Sequence, residues 1–195
     1  PNAEITLEAN PNGVDIAWFE GVRATGVNRL SIGAQTFDRK GLRVLGRQHE
    51  AADVLSALDA ARAGGFENLS LDLIFGWPGQ TLDQWRSDLE TIASLPIEHC
   101  SLYSLIVEPG TPMADAVTRG VLTVIDDDGA ADLYEAAMET LATAGWTHYE
   151  IANWAREPKF ASRHNLVYWR NGAYAALGAG AHGRIGSERF MNHLK

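Results

Sequence analysis

Among 195 residues there is one cysteine, Cys100. A lone thiol rules out a disulfide framework and any cluster of thiolates able to hold a metal within this sequence. It lies in the apolar run "HCSLYSLIV", which points to a buried structural thiol. No stretch approaches the ~20 consecutive apolar residues that a membrane span requires, and "PNAEITLEANP" lacks the architecture of a signal peptide; a cytoplasmic protein is expected. Basic residues are scarce, 16 Lys and Arg against 25 Asp and Glu for a net charge of −9, which disfavours a polyanionic partner. The sequence opens on proline rather than methionine and runs almost at once into an expected strand, so it reads as part of a longer protein.

What is present suits a folded core: 46% of residues are hydrophobic and 21% charged, ordinary for a soluble domain. The charge is uneven. Residues 1–155 carry 9 Lys and Arg against 23 Asp and Glu, whereas residues 156–195 carry 7 against 2. A net −14 followed by a net +5 suggests that the tail meets something anionic.

Three segments share one phrase: "RATGVNRLSIG" (23–33), "RAGGFENLSLD" (62–72) and "ATAGWTHYEIA" (142–152). Each combines a small-residue helix end, a capping glycine, a bulky apolar residue and a short strand. The helical pattern ahead of the second glycine puts Val54, Leu55, Leu58 and Ala61 on one face. Thr81 and Gln84 fit a capping box. Strands alternating with helices at these intervals imply a parallel sheet with crossover helices.

Parallel strands covered on both faces are near-continuous apolar runs, yet these alternate. Ile5 and Leu7 oppose Glu4, Thr6 and Glu8; Leu30, Ile32 and Ala34 oppose Ser31, Gly33 and Gln35; Leu69, Leu71, Leu73 and Phe75 oppose Ser70, Asp72 and Ile74. A sheet with helices on its apolar face and polar groups on the other encloses something polar. The simplest fold is therefore α/β, a closed or partial (β/α) barrel whose inner face lines a ligand cavity. Glu8 and Gln35 lie toward strand ends, where barrel enzymes gather functional groups, and Asp72 a little earlier. Two readings stay open for these three residues: interior groups satisfying one another, or a wall facing a ligand with amines and hydroxyls.

The segments "EITLEANP", "GVNRLSIGAQTFDRKGLRVLGRQH", "NLSLDLIFGWPGQT" and "SLYSLIVEPGTP" resemble radical S-adenosylmethionine (SAM) proteins of the oxygen-independent coproporphyrinogen III oxidase type. "RHNLVYW" followed by "LGAGAHG" is similar to the HemW branch of that group, the haem chaperones. The resemblance implies a partial (β/α) barrel of the radical SAM type over residues 1–112 with an α+β extension over 113–195, and it implies that Glu8, Gln35, Arg47 and Asp72 contact SAM. Their chemistry agrees: the carboxylates accept from an ammonium or from ribose hydroxyls, Gln35 donates or accepts, and the Arg47 fork holds a carboxylate. Seen alone, Arg47 is equally a helix-end salt-bridge partner. The family holds a [4Fe-4S] cluster with a CxxxCxxC loop that would precede Pro1. Those cluster cysteines are absent from this sequence, so the chain alone is expected to be inactive, and whether the intact protein is an oxidase or a chaperone is left open.

Other motifs carry less. "GAGAHG" (178–183) matches GxGxxG, but too little chain follows for a dinucleotide fold; a tight loop is expected. "HEAAD" (49–53) lacks the second histidine of a zinc-protease motif and is expected on a helix surface. "IDDDG" (125–129) is expected to start a helix.

In the tail, Arg156, Lys159, Arg163, Arg170 and Arg184 interleave with Trp154, Phe160, Tyr168, Trp169 and Tyr174. Such a mixture suits single-stranded nucleic acid or haem, whose flat face accepts aromatics and whose propionates accept arginines. The acidic remainder favours the small dianion. With the resemblance, His164 is expected to be an axial haem ligand, Tyr168 and Trp169 to pack on the macrocycle, Arg163 and Arg170 to meet propionates, and His182 to be a competing ligand. The partners expected are haem and an unidentified acceptor protein, with no nucleic acid and no membrane span. The alternative function is oxidative decarboxylation of coproporphyrinogen propionates. The bland alternative is that Tyr168 and Trp169 are core of a small sheet and the arginines its solvated rim.

Overall fold

The structure, a computed structural model, describes residues 3–193. Four parallel strands, β1 (Thr6–Ala9), β2 (Arg29–Gln35), β3 (Leu69–Phe75) and β4 (His99–Ser104), lie side by side in chain order. Crossovers between them contain α1 (Ile16–Ala24), then α2 (Arg39–Val44) with α3 (Ala51–Ala63), then α4 (Leu82–Ser94). After β4 come α5 (Pro112–Thr118) and α6 (Asp127–Thr143), then the hairpin of β5 (Thr147–Glu150) and β6 (Asn153–Ala155). Strand β6 pairs antiparallel to β4 and β5 closes the edge, giving the order β1-β2-β3-β4-β6-β5. The third repeated phrase thus ends in a hairpin strand rather than a further crossover unit. A two-residue connection, 151–152, permits only antiparallel pairing.

The alternation read from the sequence is the layering observed. Leu30, Ile32, Ala34, Leu69, Leu71, Leu73, Cys100 and Leu102 form one buried face, packed with Phe19, Val54, Leu58, Trp85, Leu89, Ile92, Leu133 and Leu141 from the helices. At roughly 25 cal/mol per Å² this apolar layer is the main stabilising contribution. The Trp85 indole donates to the Leu133 carbonyl at 2.8 Å, tying α4 to α6. Leu55 does not join the α3 face: it is 42% exposed, and Ala57 takes its place beside Val54, Leu58 and Ala61. Positions 54, 57, 58 and 61 are the i, i+3, i+4, i+7 stripe, and Leu55 lies one residue's rotation off it. Thr81 and Gln84 form the expected capping box on α4, and Asp126 caps α6 by accepting from the Gly129 N–H at 2.9 Å.

The sheet runs across position 112, since β5 and β6 join it, and the chain divides after Phe160 into two compact units. Taken by itself, the second unit holds α7 (Arg163–Trp169) and the antiparallel hairpin of β7 (His182–Ile185) and β8 (Glu188–Met191). Ser162 caps α7, its hydroxyl accepting from the Asn165 N–H at 3.3 Å. A Cβ at Gly183 would meet the Phe190 ring, which would have to move to admit one. Gly178 and Gly180 both have φ in the left-handed region, at 94° and 70°, so "GAGAHG" is the expected tight loop.

Candidate functional site: a polar sheet face and an aromatic helix face

On the side of the sheet away from the helices, polar residues form a row across all six strands. Pairing places Glu8 beside Ser31, Asp72 beside Ser101, Ser101 beside Asn153 and Asn153 beside Glu150. The Ser31 hydroxyl reaches both oxygens of Asp72 at 2.9 Å, and Ser101 bonds the same carboxylate from the other side. Burial raises the Asp72 pKa; the hydrogen bonds from Ser101 and Ser31 and the charge of Arg29 oppose that rise, and Glu8 adds to it. Asn153 donates its side-chain amide to Glu150.

A second row lies beneath. Ser70 meets His99 Nδ1 at 2.7 Å and Tyr149 meets Nε2 at 2.8 Å. Enclosure lowers the His99 pKa well below its ordinary value, with the Arg29 charge as the second cause, so the ring is neutral. Arg29 itself is 4% exposed and its Nε has no hydrogen-bond partner. The sequence pattern puts Ser31 on the polar face without a role, and it does not single out Arg29, His99, Ser101, Glu150 and Asn153. The period-2 pattern of "HCSLYS" was the available signal for His99 and Ser101.

Gln35 ends β2 in an unusual conformation. Its φ is 65°, a register shift separates it from Gly33, and the Thr36 N–H closes a bond to the Ala34 carbonyl at 2.8 Å around it. The turn folds the Gln35 side chain over Gly33, where a Cβ would come within 2.7 Å of Gln35 Nε2. Since Gly33 is paired with Asp72, the amide is held on the polar face. Two buried titratable residues brace the turn. His49 is 5% exposed and its Nε2 meets the Ala34 carbonyl at 3.0 Å, so the expectation of a helix-surface histidine is corrected: it precedes α3 and points inward to the turn. On the other side the Asp88 carboxylate accepts from Thr36 Oγ1 at 2.6 Å and from the Phe37 N–H at 2.9 Å. Burial pushes the Asp88 pKa up to about 6 against those two bonds.

Glu8, Gln35 and Asp72 therefore share one face, with Glu8 exposed and its charge felt by Asp72. Arg47 lies between α2 and α3, two residues before His49, with its N–H bonded to the Leu42 carbonyl at 2.8 Å. It is half-buried and makes no ion pair among the described residues.

In the second unit, "HNLVYW" is helical. His164 and Tyr168, four residues apart, meet with ring centroids 4.9 Å apart and planes at 82°; Tyr168 then meets Tyr174 at 4.4 Å. Tyr174 is pinned by two backbone bonds to Arg184, at 2.9 and 2.8 Å. Tyr168 and Trp169 are 42% and 52% exposed, so neither is a core residue of a small sheet. Arg163 and Arg170 sit at the two ends of α7 and His182 begins β7, all three exposed. Arg156 and Trp154 belong instead to the first unit: Trp154 is buried, and the Arg156 guanidinium donates to the carbonyls of Ile97, Ala93 and Leu95.

Residues 1–92 match the radical SAM superfamily. Those residues belong to that superfamily. The chain is 43% identical over 190 residues to Heme chaperone HemW of Bacillus subtilis, covering 97% of this chain and 50% of that protein. It is 40% identical over 194 residues to Radical S-adenosyl methionine domain-containing protein 1, mitochondrial, of Mus musculus, covering 100% of this chain and 44% of that one. Its fold matches the coproporphyrinogen III oxidase HemN of Escherichia coli, a radical SAM enzyme, with a TM-score of 0.80 at 21% identity over 100% of this chain and 47% of that chain. The chain spans about half the length of the curated relatives it matches.

The polar face fits SAM, which is rich in the donors that Glu8, Asp72 and Gln35 accept. A [4Fe-4S] cluster does not fit the residues present. Cys100 is fully buried and burial pushes its thiol pKa far up, so it is no thiolate, and among the described residues no group of His, Cys, Asp and Glu could hold a metal ion. No helix among the described residues is long and apolar enough to cross a membrane.

Proposed function

We propose that the chain is the cofactor-facing wall and haem-binding segment of a cytoplasmic haem chaperone that passes haem to an acceptor protein. Similarity to HemW proteins along 97% of the chain supports the reading, and one observation carries it: His164 stands on an exposed aromatic helix face with Tyr168 and Trp169 beside it. In this reading the His164 imidazole is the axial ligand of haem iron and His182 its competitor. Tyr168 and Trp169 pack against the macrocycle, and Arg163 and Arg170 offer charge-assisted hydrogen bonds to propionates. SAM lies on the polar face, with Asp72 and Glu8 accepting from its hydroxyls and ammonium, Gln35 holding a further polar group and Arg47 its carboxylate. The coproporphyrinogen oxidase alternative is supported by fold likeness to HemN alone.

Titration of the purified chain with ferric haem, followed in the Soret region, tests the proposal. His164→Ala is expected to shift the band and weaken binding, while His182→Ala changes neither. An unshifted band and unchanged affinity for His164→Ala would return "HNLVYW" to a structural role.

A further inference from the structure

Between residues 161 and 193 there are four arginines and one glutamate, and the pairing of β7 with β8 sets two of the arginines against each other. Arg184 is the direct partner of Arg189. Directly opposed residues in an antiparallel pair project to the same side with Cα atoms about 5 Å apart, and like charges so placed repel. Neither arginine takes part in an ion pair among the described residues. The one glutamate, Glu188, pairs with Ile185 and so projects to the opposite face. Arg184 is oriented by a bond from Nη1 to the Gly172 carbonyl at 3.4 Å.

The row does not end at these two residues. Tyr174 bridges to Arg184 from the other side of β7, so Tyr174, Arg184 and Arg189 stand in register across three chain segments. Tyr174 packs on Tyr168 and Tyr168 on His164. One continuous line therefore runs from an imidazole through two phenol rings to two unpaired guanidinium groups. His182, two residues before Arg184 and opposite Met191, lies on the same side. An iron macrocycle with two carboxylates on one edge and an apolar remainder has the same sequence of chemistry: a metal, a flat ring, then two anions.

We propose that Arg184 and Arg189 form the carboxylate-binding pair of the second unit and receive the two propionates of haem in preference to Arg163 and Arg170. The inference rests on the reading that this unit binds haem through His164. The pair supplies paired positive charge at the end of the aromatic line, which the α7 arginines, Arg163 and Arg170, do not. Strand register fixes the spacing of the two Cα atoms, which puts both forks within reach of one edge of a ligand.

The test compares ferric haem with its dimethyl ester, which keeps iron and ring and lacks both charges, in the same detergent and at low and high salt. The double variant Arg184→Gln/Arg189→Gln is expected to bind haem roughly tenfold more weakly, with the Soret maximum at saturation unchanged and the salt dependence reduced. Its affinity for the ester should equal that of the unaltered chain. The Arg184→Lys/Arg189→Lys variant should recover most of the haem affinity. Unaltered haem affinity in the Gln variant, or an equal loss for haem and ester, would overturn the proposal. His164→Ala run alongside separates the two claims: if it alone leaves spectrum and affinity untouched, the haem reading fails, whereas a loss with His164→Ala and none with the arginine variant rejects only the pair.

Discussion

The polar face of the sheet and the aromatic face of α7 present functional groups in opposite ways. On the sheet, Asp72 is held by two serines, and the turn that aims Gln35 is braced by His49 and Asp88. On α7, His164 stands exposed on a seven-residue helix, oriented through an aromatic contact. The first arrangement is pre-organised and costs little to order when a ligand arrives; the second leaves the His164 ring accessible from solvent. The proposed haem-chaperone reading would use the first for a retained cofactor and the second for a cargo that leaves.

Four perturbations should break or sharpen this contrast. The largest is expected from pH at the brace of the Gln35 turn. Asp88 has a folded pKa of about 6 against an ordinary value of 3.8, so the fold favours its protonated form. Stability contributed by that form is present at acid pH and lost as pH rises through about 6. Relative to Asp88→Asn, the unaltered chain should lose about 3 kcal/mol of unfolding free energy between pH 3 and 7. Urea unfolding at both pH values measures this, and parallel curves would show that Asp88 carries no such load.

Next comes His49→Ala, which removes a buried ring and its bond to Ala34 and should cost about 2 kcal/mol in the same assay. A surface histidine would cost almost nothing, so the result decides between the two placements. Ser31→Ala should cost about 1 kcal/mol by leaving Asp72 with one serine fewer, and it should raise the Asp72 carboxyl titration followed by carbon NMR. An unmoved titration would mean that Ser101 and Arg29 suffice. The smallest stability effect is expected for Tyr168→Leu, about 0.5 kcal/mol for a half-exposed ring. If His164 ligates haem, that same change should nevertheless weaken haem binding more than Ser31→Ala does, which haem titration of both variants would check.

Much of this was legible because period-2 alternation survives in short strands. Leu30, Ile32 and Ala34 against Ser31 and Gln35 announced a two-faced parallel sheet, and the structure keeps that layering. The antiparallel β5–β6 hairpin was hidden because its strand follows the same helix-glycine-strand phrase as the crossovers; only the two-residue connection distinguishes it. His49 was misplaced because its neighbours form a helical pattern, whereas its side chain answers to a carbonyl 15 residues away. The diarginine pair was illegible because strand register, which no local pattern encodes in so short a hairpin, creates it. Arg184 and Arg189 are five positions apart and gain their meaning only when β7 and β8 align.

The central claim is that the two faces serve two ligands separately. The most direct test is a crossed titration of the intact, cluster-loaded protein with SAM and with ferric haem, using Asp72→Asn and His164→Ala. Asp72→Asn should weaken SAM binding and leave the haem spectrum and affinity unchanged, and His164→Ala should do the reverse. Loss of both ligands in either variant, or loss of the wrong one, would contradict the account.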